Sequence, residues 1–224
     1  MPRPIFFCHI PKTAGTVLRL AFDQAFPPES VFPTQQSILE NAGQYPETQD
    51  AMRMVRDEVE KVRVFRGHYA FQASKALRNP IIVILLREPI ARTKSHIRHV
   101  VRNGQISQAE AFSALDEGRL PDIVPVNLMT YMLSLSDEPS LSEAIWTALS
   151  ADYLGVTEHM EMFLESLNPL GIVSNGRHNI GDDDIQFTAE QTETIRRYNE
   201  MDIELYRAAT GDLFRRYAYA HANA

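Results

Sequence analysis

The sequence predicts an α/β protein with three layers, in which a parallel sheet is flanked by helices on both faces. Two observations support this prediction. Short apolar runs bounded by polar or turn residues are typical of buried strands, and amphipathic segments with helical spacing lie between them. Because strands alternate with helices along the chain, we expect parallel pairing with helical crossovers.

Five apolar runs are predicted to be strands. They are Pro4–Ile10, Val62–Phe65, Ile81–Leu86, Tyr153–Val156 and Gly171–Ser174. In such sheets ligands bind at the carboxyl ends of the strands, so the residues that follow these runs are the candidates for function.

Helices are predicted after Thr13, after Pro89 and from the capping-box pattern Thr188–Gln191 onward. In the first helix one face collects the apolar residues Val17, Leu18, Ala21, Phe22 and Ala25. In the second helix the inner face is expected to carry Ile90, Ile97 and Val101. The segment Pro27–Gln49 contains four prolines and is predicted to be a surface loop or a lid.

Composition limits the class of protein. The 224 residues show no repeat or composition break, so a single domain spanning 1–224 is predicted. The net charge of −7 argues against a nucleic-acid partner, and any anion site must be a local group of donors and cations.

The single cysteine, Cys8, excludes an internal disulfide and is expected to be buried and inert. With no apolar run of membrane-spanning length and no signal-peptide pattern, a cytoplasmic location is expected; nothing in the sequence indicates an oligomeric state.

The first predicted strand leads through a tight turn into a helix. A helix start offers unpaired backbone N–H groups and the positive end of the helix dipole, which favour an anion. Gly15 allows close backbone approach, Thr13 and Thr16 add hydroxyls, and Lys12 adds a cation. The pattern is not G-x-x-x-x-G-K-[ST], so a nucleoside triphosphate kinase is not indicated. An ordinary turn with a surface lysine is the alternative interpretation.

The segment His-Ile-Pro-Lys-Thr-Ala-Gly-Thr, residues 9–16, closely resembles the 5′-phosphosulfate-binding loop of the sulfotransferases that include the heparan sulfate 2-O-sulfotransferases. The resemblance implies a P-loop-NTPase-like sulfotransferase fold and 3′-phosphoadenosine-5′-phosphosulfate as the donor, without a metal. It assigns donor binding in this loop to Lys12, Thr13, Ala14, Gly15 and Thr16.

A second predicted strand ends in Arg87-Glu-Pro and is followed by a helix that contains Ser95. This stretch resembles the family's 3′-phosphate-binding element, so Arg87 and Ser95 are implied to hold that phosphate. Glu88 replaces the family's usual aspartate. The helix also carries Arg92, Lys94, Arg98 and Arg102. Arg92 is interpreted as assisting the phosphate site or facing an anionic acceptor, whereas Arg98 and Arg102 also fit an ordinary solvated face.

A third predicted strand ends in Gly67-His68. Histidine titrates near neutral pH and is therefore suited to remove a proton from a hydroxyl. The Gly-His-x-x-Phe pattern resembles the position of the general base in the 2-O-sulfotransferases, which implies that role for His68. The alternative is a histidine that caps a helix or bonds to a backbone carbonyl. His9 is interpreted as shaping the loop, and the other histidines show no spacing typical of metal binding or catalysis.

Three further stretches resemble the family less closely. Asn127–Tyr131 resembles an Asn-x-Gln-Thr stretch with Met129 in place of glutamine, Tyr153–Glu158 resembles a late strand that leads into a helix, and Asn199–Tyr206 resembles the closing helix. In addition, Arg177–Gly181 is predicted to cover the adenosine. The resulting hypothesis is an in-line sulfuryl transfer in which Lys12 and His68 are catalytic and the acceptor is a hydroxyl on a glycan or another small molecule. Two alternatives stay open: a kinase-like phosphoryl transferase and a non-catalytic nucleotide- or glycan-binding module.

Overall fold

The computed structural model describes residues 2–173 and 185–222. The strands of the described residues are β1 (Ile5–Cys8), β2 (Val31–Phe32), β3 (Val64–Gly67), β4 (Ile81–Leu86) and β5 (Tyr153–Val156). They form one parallel sheet in the order β2-β3-β1-β4-β5. The predicted α/β class with a parallel sheet is therefore confirmed.

Helices connect these strands. They are α1 (Gly15–Ala25), α2 (Gln35–Glu40), α3 (Thr48–Asp57), α4 (Pro89–Arg102), α5 (Gln108–Asp116), α6 (Leu128–Leu133), α7 (Leu141–Leu149), α8 (Met160–Ser166), α9 (Ala189–Tyr198) and α10 (Glu200–Ala222). Among the described residues, no helix combines the length and apolarity that a membrane crossing requires.

The first strand of the chain lies at the centre of the sheet. In the register of the sheet, Ile5 lies opposite Val64 on one side and Ile81 on the other. All four residues of β1 are at most 2% exposed. Cys8 ends the strand, and burial raises the pKa of its thiol to about 12, so the thiol is protonated and unreactive.

Alternate side chains of the sheet enter two cores. Phe6 and Cys8 pack on the side that carries α3, α6, α7 and α10, whereas Ile5 and Phe7 pack on the side that carries α1 and α8. Since both faces of the sheet are covered by helices, the three-layer prediction is also confirmed. A third apolar cluster joins α4, α5 and α9 through Ile97, Leu115 and Ile195.

The connections of the sheet locate its switch point. After β1 the chain moves to β2 at one edge, whereas after β4 it moves to β5 at the other edge. The neighbouring strands β1 and β4 therefore send their following segments in opposite directions. Ligands of open parallel sheets bind in the crevice at such a point, beyond the carboxyl ends of the strands.

The segment Pro27–Gln49 differs from the predicted loop. It contains the two-residue edge strand β2, the short helix α2 and the first residues of α3. Thr34 caps α2 by accepting a hydrogen bond from the Ser37 amide. Part of this segment is therefore integrated into the sheet.

The predicted strand Gly171–Ser174 is wrong over its described residues. Asn168–Leu170 forms a 3-10 turn, and Gly171 has φ +76°, a left-handed conformation that ends this turn. Ile172 then packs into the core beside α8. The apolar character of Ile172 thus reflects burial outside the sheet. Ser174 and the predicted adenosine-covering stretch Arg177–Gly181 lie outside the described residues.

The predicted C-terminal helix begins as expected. Thr188 and Gln191 form the reciprocal hydrogen bonds of a capping box, so this prediction is confirmed. The helical region divides at Asn199 into α9 and α10, and the Asn199 side chain donates to the carbonyl of Ile195.

Candidate functional site

The turn after β1 has a strained backbone. Lys12 and Ala14 have φ of 70° and 58°, a left-handed conformation that residues with a side chain seldom adopt. Strained residues of this kind cluster at functional sites, where the surrounding structure compensates for the strain. The strain in this turn marks it as a candidate site.

His9 determines the shape of the turn by packing directly on Gly15. A Cβ atom added to Gly15 would lie 2.0 Å from Cδ2 of the His9 ring, so only glycine fits there. On its other side the ring stacks on Phe7, with 5.2 Å between ring centroids. Burial lowers the pKa of His9 to about 3, and its buried Nδ1 has no hydrogen-bond partner. His9 is therefore neutral and acts through its shape.

The start of α1 carries no side-chain cap. Ala14 occupies the N-cap position and has no group that could accept from the first-turn amides. The Thr13 hydroxyl is fully buried and donates to the Ile10 carbonyl at 2.9 Å, so it supports the turn from inside. Thr16 is exposed in the first turn. This arrangement leaves the amide end of α1 suited to an anion.

The turn after β4 is joined to the turn after β1. Nη1 of Arg87 donates to the Lys12 carbonyl at 3.1 Å. The Thr157 hydroxyl, just beyond β5, lies 2.9 Å from the Leu86 carbonyl and 3.2 Å from the Thr13 carbonyl, and its single hydrogen is shared between these two acceptors. Thr157 was not predicted from the sequence, because its partners lie more than 70 residues away. The two turns are therefore held in contact at the switch point.

The start of α4 differs from the start of α1. The Glu88 carboxylate accepts from the amides of Ile90 and Ala91, so it occupies the amide end of its own helix. An anion at this corner therefore has to rely on side chains. Arg87 is half-buried at this corner, and Ser95 is half-buried two turns along α4. Burial lowers the pKa of Arg87, an effect that the nearby Glu158 carboxylate opposes.

Arg92 does not face an acceptor, in contrast to one of its predicted roles. Its side chain is 0% exposed and lies 4.0 Å from the Asp202 carboxylate on α10. Asp202 also accepts hydrogen bonds from the amides of Met129 and Thr130 and from the Thr130 hydroxyl. Arg92 is turned away from a possible acceptor because it lies on the inner side of α4. The stretch Asn127–Tyr131 likewise packs α6 against α10, with Met129 fully buried.

The outer part of α4 carries cations that contact an aromatic ring. Lys94 and Arg98 lie 5.4 Å and 5.2 Å from the centroid of Phe187, and Arg98 also donates to the Ile185 carbonyl. Such contacts are attractive because the face of the ring is negative. Arg102 is exposed at the end of the helix. Arg98 thus packs against Phe187 in addition to contributing a positive charge.

His68 follows β3 and lies on the other side of β1 from Arg87. Its Nδ1 is 2.8 Å from the His9 carbonyl, and the two histidine rings are 4.3 Å apart. A carbonyl only accepts, so Nδ1 carries the proton and Nε2 keeps its lone pair. Burial and the Lys12 charge lower the pKa of His68, although the bond to His9 opposes them. The bond to a backbone carbonyl, which was the alternative interpretation of His68, is therefore present. It orients the ring so that Nε2 can accept a hydrogen bond or a proton.

His96 on α4 was not predicted as a site residue. It is half-exposed, and burial together with the charges of Arg92 and Lys12 lowers its pKa to about 4. Its buried Nδ1 has no hydrogen-bond partner. The available signal was helical spacing, since His96 lies one turn after Arg92. Across residues 2–173 and 185–222, no three His, Cys, Asp or Glu side chains are grouped as a metal site.

Fold and geometry together define an α/β protein whose candidate site lies at a switch point of a parallel sheet, with cations on one side and a neutral histidine on the other. No family model and no curated protein matches the chain. A solved structure of a sulfotransferase from Alicyclobacillus acidocaldarius is similar over 99% of this chain and 97% of that chain, with 15% sequence identity and a TM-score of 0.49.

Proposed function

We propose that the chain transfers a sulfuryl group from 3′-phosphoadenosine-5′-phosphosulfate to an acceptor hydroxyl. The observation that carries this proposal is the contact between Arg87 and the Lys12 carbonyl, which joins two strand-to-helix corners at the switch point. One corner offers an uncapped helix start, and the other offers an arginine and a serine. Two anion-binding corners in contact are suited to a donor that carries phosphate groups at two positions.

The donor residues divide between the two corners. The phosphosulfate is assigned to the amide end of α1 and to the turn before it, that is, to Lys12, Thr13, Ala14, Gly15 and Thr16. Since the Thr13 hydroxyl already donates to Ile10, the contribution of Thr13 is through its backbone. The 3′-phosphate is assigned to Arg87 and Ser95, because Glu88 occupies the amide end of α4.

The donor supplies the sulfuryl group and leaves as adenosine 3′,5′-bisphosphate. Lys12 neutralises the negative charge that grows on the leaving phosphate as its bond to sulfur breaks. His68 takes the proton of the acceptor hydroxyl on Nε2 as the oxygen bonds to sulfur, because Nδ1 is held by the His9 carbonyl. The lowered pKa of His68 keeps this nitrogen unprotonated at neutral pH.

Ligand binding distinguishes this proposal from its alternatives. Adenosine 3′,5′-bisphosphate without magnesium should raise the melting temperature. At 100 times its Kd, the ligand should increase the free energy of unfolding by about 2.7 kcal/mol. ATP with magnesium should not. The reverse result would favour the phosphoryl transferase and would contradict the proposal.

The catalytic assignments are tested in the same preparation. In a transfer assay with radiolabelled donor, Lys12→Ala should lower kcat by roughly 100-fold or more. His68→Ala should abolish transfer while the bisphosphate still raises the melting temperature. Transfer at an unchanged rate in His68→Ala would refute the assignment of the base, and bisphosphate binding without any transfer in the unaltered protein would favour the non-catalytic module.

A further inference from the structure

A cavity of about 400 Å³ opens beside His68. It is formed by residues 43–48, which precede and begin α3, together with His68 and Tyr69. We propose that this cavity is the acceptor pocket and that it selects hydroxyl compounds that are uncharged or carry an amine, and disfavours anionic ones. The inference rests on the proposed function, since it names the class of acceptor for the same site.

The walls of this pocket are held in place by hydrogen bonds that are buried or partly buried. The Tyr45 hydroxyl accepts from Nη1 of Arg66 at 3.0 Å, and Nη2 of Arg66 donates to Asp23 at 2.7 Å. The Tyr69 hydroxyl donates to the Pro46 carbonyl at 3.0 Å. Residues 43–48 are thus attached at two points, to Arg66 in β3 and to Tyr69 just beyond it, and the pocket is formed before any acceptor binds.

The ring of His68 lines the pocket beside Tyr45. Tyr45 meets this ring edge-on, with 5.6 Å between centroids, and lies 6.1 Å from Tyr69. Because Nδ1 of His68 is turned toward the His9 carbonyl, Nε2 is the nitrogen left for an acceptor. A hydroxyl compound stacked beside Tyr45 would therefore present its oxygen to the proposed base.

The charge in the pocket is negative. Among the described residues that line it, Glu47 carries the one full charge, since the lowered pKa of His68 keeps that ring neutral. Glu47 is exposed at the N-cap of α3, and its carboxylate makes no capping hydrogen bond. The guanidinium of Arg66 behind Tyr45 is paired with Asp23. An anionic acceptor therefore meets a carboxylate and no cation among these lining residues.

The cations of the site lie on the donor side. Lys12 and Arg87 belong to the two corners, and Lys94 and Arg98 lie on α4 beside Phe187. This separation suits an anionic donor on one side of His68 and a neutral or cationic acceptor on the other. A sulfated polysaccharide, which the resemblance alone would suggest, is disfavoured because the charge of the pocket repels it.

Two matched sets of acceptors test the inference, each varying the charge at a fixed scaffold. The first set is methyl glucoside, its 6-amino-6-deoxy analogue and its uronate, which differ at C6 alone, and the second set is tyrosol, tyramine and 4-hydroxyphenylacetate. We expect the amine to exceed the carboxylate by roughly tenfold in kcat/KM within a set, corresponding to about 1.4 kcal/mol. Radiolabelled donor measures transfer to all six compounds.

Glu47 is the residue that should control this preference. Glu47→Gln should reduce the amine-to-carboxylate ratio toward one, mainly through KM, and Glu47→Lys should reverse it. Glu60→Lys is the matched control: Glu60 is exposed before the amino end of β3, whereas His68 follows the carboxyl end. The control makes the same change in net charge and should leave the ratio unchanged.

Two outcomes would overturn the inference. One is a carboxylate compound that is turned over as fast as its amine partner, and the other is a ratio that is unaffected in Glu47→Gln. Failure of all six compounds as acceptors would also overturn the assigned class. In each case stabilisation by adenosine 3′,5′-bisphosphate is measured in parallel, and its retention would leave the proposed function standing.

Discussion

His9 and Gly15 are two residues of the candidate site that are coupled by their shapes. The ring of His9 occupies the space where a side chain on Gly15 would lie, and the His9 carbonyl holds Nδ1 of His68. One residue therefore positions both the turn after β1 and the proposed base. Changes at either position should affect the site without removing any group that contacts a substrate.

Gly15→Ala should destabilise the protein by roughly 1–3 kcal/mol, because the added Cβ would lie 2.0 Å from the His9 ring and has to displace it. Chemical denaturation measures this loss. Gly211→Ala is the control, because Gly211 lies within α10 and a Cβ there meets nothing within 4 Å. It should increase stability by roughly 0.5–1 kcal/mol. Equal effects of the two substitutions would contradict the packing of His9 on Gly15.

Acid should weaken the fold through His9. Its pKa is about 3 in the folded protein, below the ordinary value of 6.5, so the unfolded chain takes up the proton first as the pH falls. The stabilising effect of the neutral ring is fully present above pH 6.5 and is lost between that pH and about 3. The loss is about 1.4 kcal/mol per pH unit, or about 2 kcal/mol between pH 6.5 and pH 5.

The test compares urea unfolding of the protein and of His9→Asn at pH 7 and at pH 5. The variant should lose about 2 kcal/mol less than the unaltered protein on acidification, whatever its absolute stability. His159→Asn removes a histidine from the surface and serves as the control. If acidification costs His9→Asn as much as the unaltered protein, the buried neutral state of His9 is refuted.

The principal site residues could be predicted from the sequence because they follow strands directly. Lys12, His68 and Arg87 each lie within four residues of the end of an observed strand. Tyr45 could not be predicted, because it enters the site through the packing of a loop that local patterns do not specify. For Arg92 the sequence left two roles open. A cation on an amphipathic helix can bind a ligand or pair with a buried carboxylate, and only the position of α10 decides between these roles.

At the scale of secondary-structure elements, the buried pair of Arg92 and Asp202 connects α4 to α6 and α10. The Asp202 carboxylate receives three hydrogen bonds from the start of α6 and lies 4.0 Å from the Arg92 guanidinium. Since α4 carries Ser95 and follows Arg87, this connection also helps to position the proposed 3′-phosphate corner.

Asp202→Ala should cost about 3–5 kcal/mol of stability, because it leaves the Arg92 charge buried without its carboxylate. Glu204→Ala on the same helix is the control, since Glu204 pairs with Arg207 at the surface. Its effect should be within about 1 kcal/mol. Urea denaturation of both variants measures the difference. A loss in Asp202→Ala no larger than in Glu204→Ala would show that the buried pair is not stabilising.

The strands also differ in how far they could be predicted. The observed bounds of β4 and β5 match the predicted ones, because each of these apolar runs is followed directly by a polar residue, Arg87 or Thr157. β2 was not predicted, since two residues carry no periodic signal. The run Gly171–Ser174 was predicted to be a strand because apolarity alone does not distinguish a strand from a coil that fills a core, as Ile172 does.

At the scale of the whole molecule, three corners from distant parts of the chain assemble one site. β3, β1 and β4 are adjacent in the sheet, although residues 9–16, 67–69 and 87–95 supply the groups. The molecule is acidic overall, with a net charge of −7, yet Lys12, Arg87, Lys94 and Arg98 lie around the proposed donor position. The attraction for the proposed donor would therefore be local, because the net charge of the whole molecule repels polyanions.

The central place of β1 also affects biosynthesis. Ile5–Cys8 leaves the ribosome well before its two neighbours in the sheet, which begin at residues 64 and 81. Until both have emerged, an apolar segment that is wholly buried in the finished protein lacks its hydrogen-bond partners. Exposed apolar segments of this kind promote aggregation. During synthesis β1 therefore stays exposed to aggregation until the segments that form β3 and β4 have followed it.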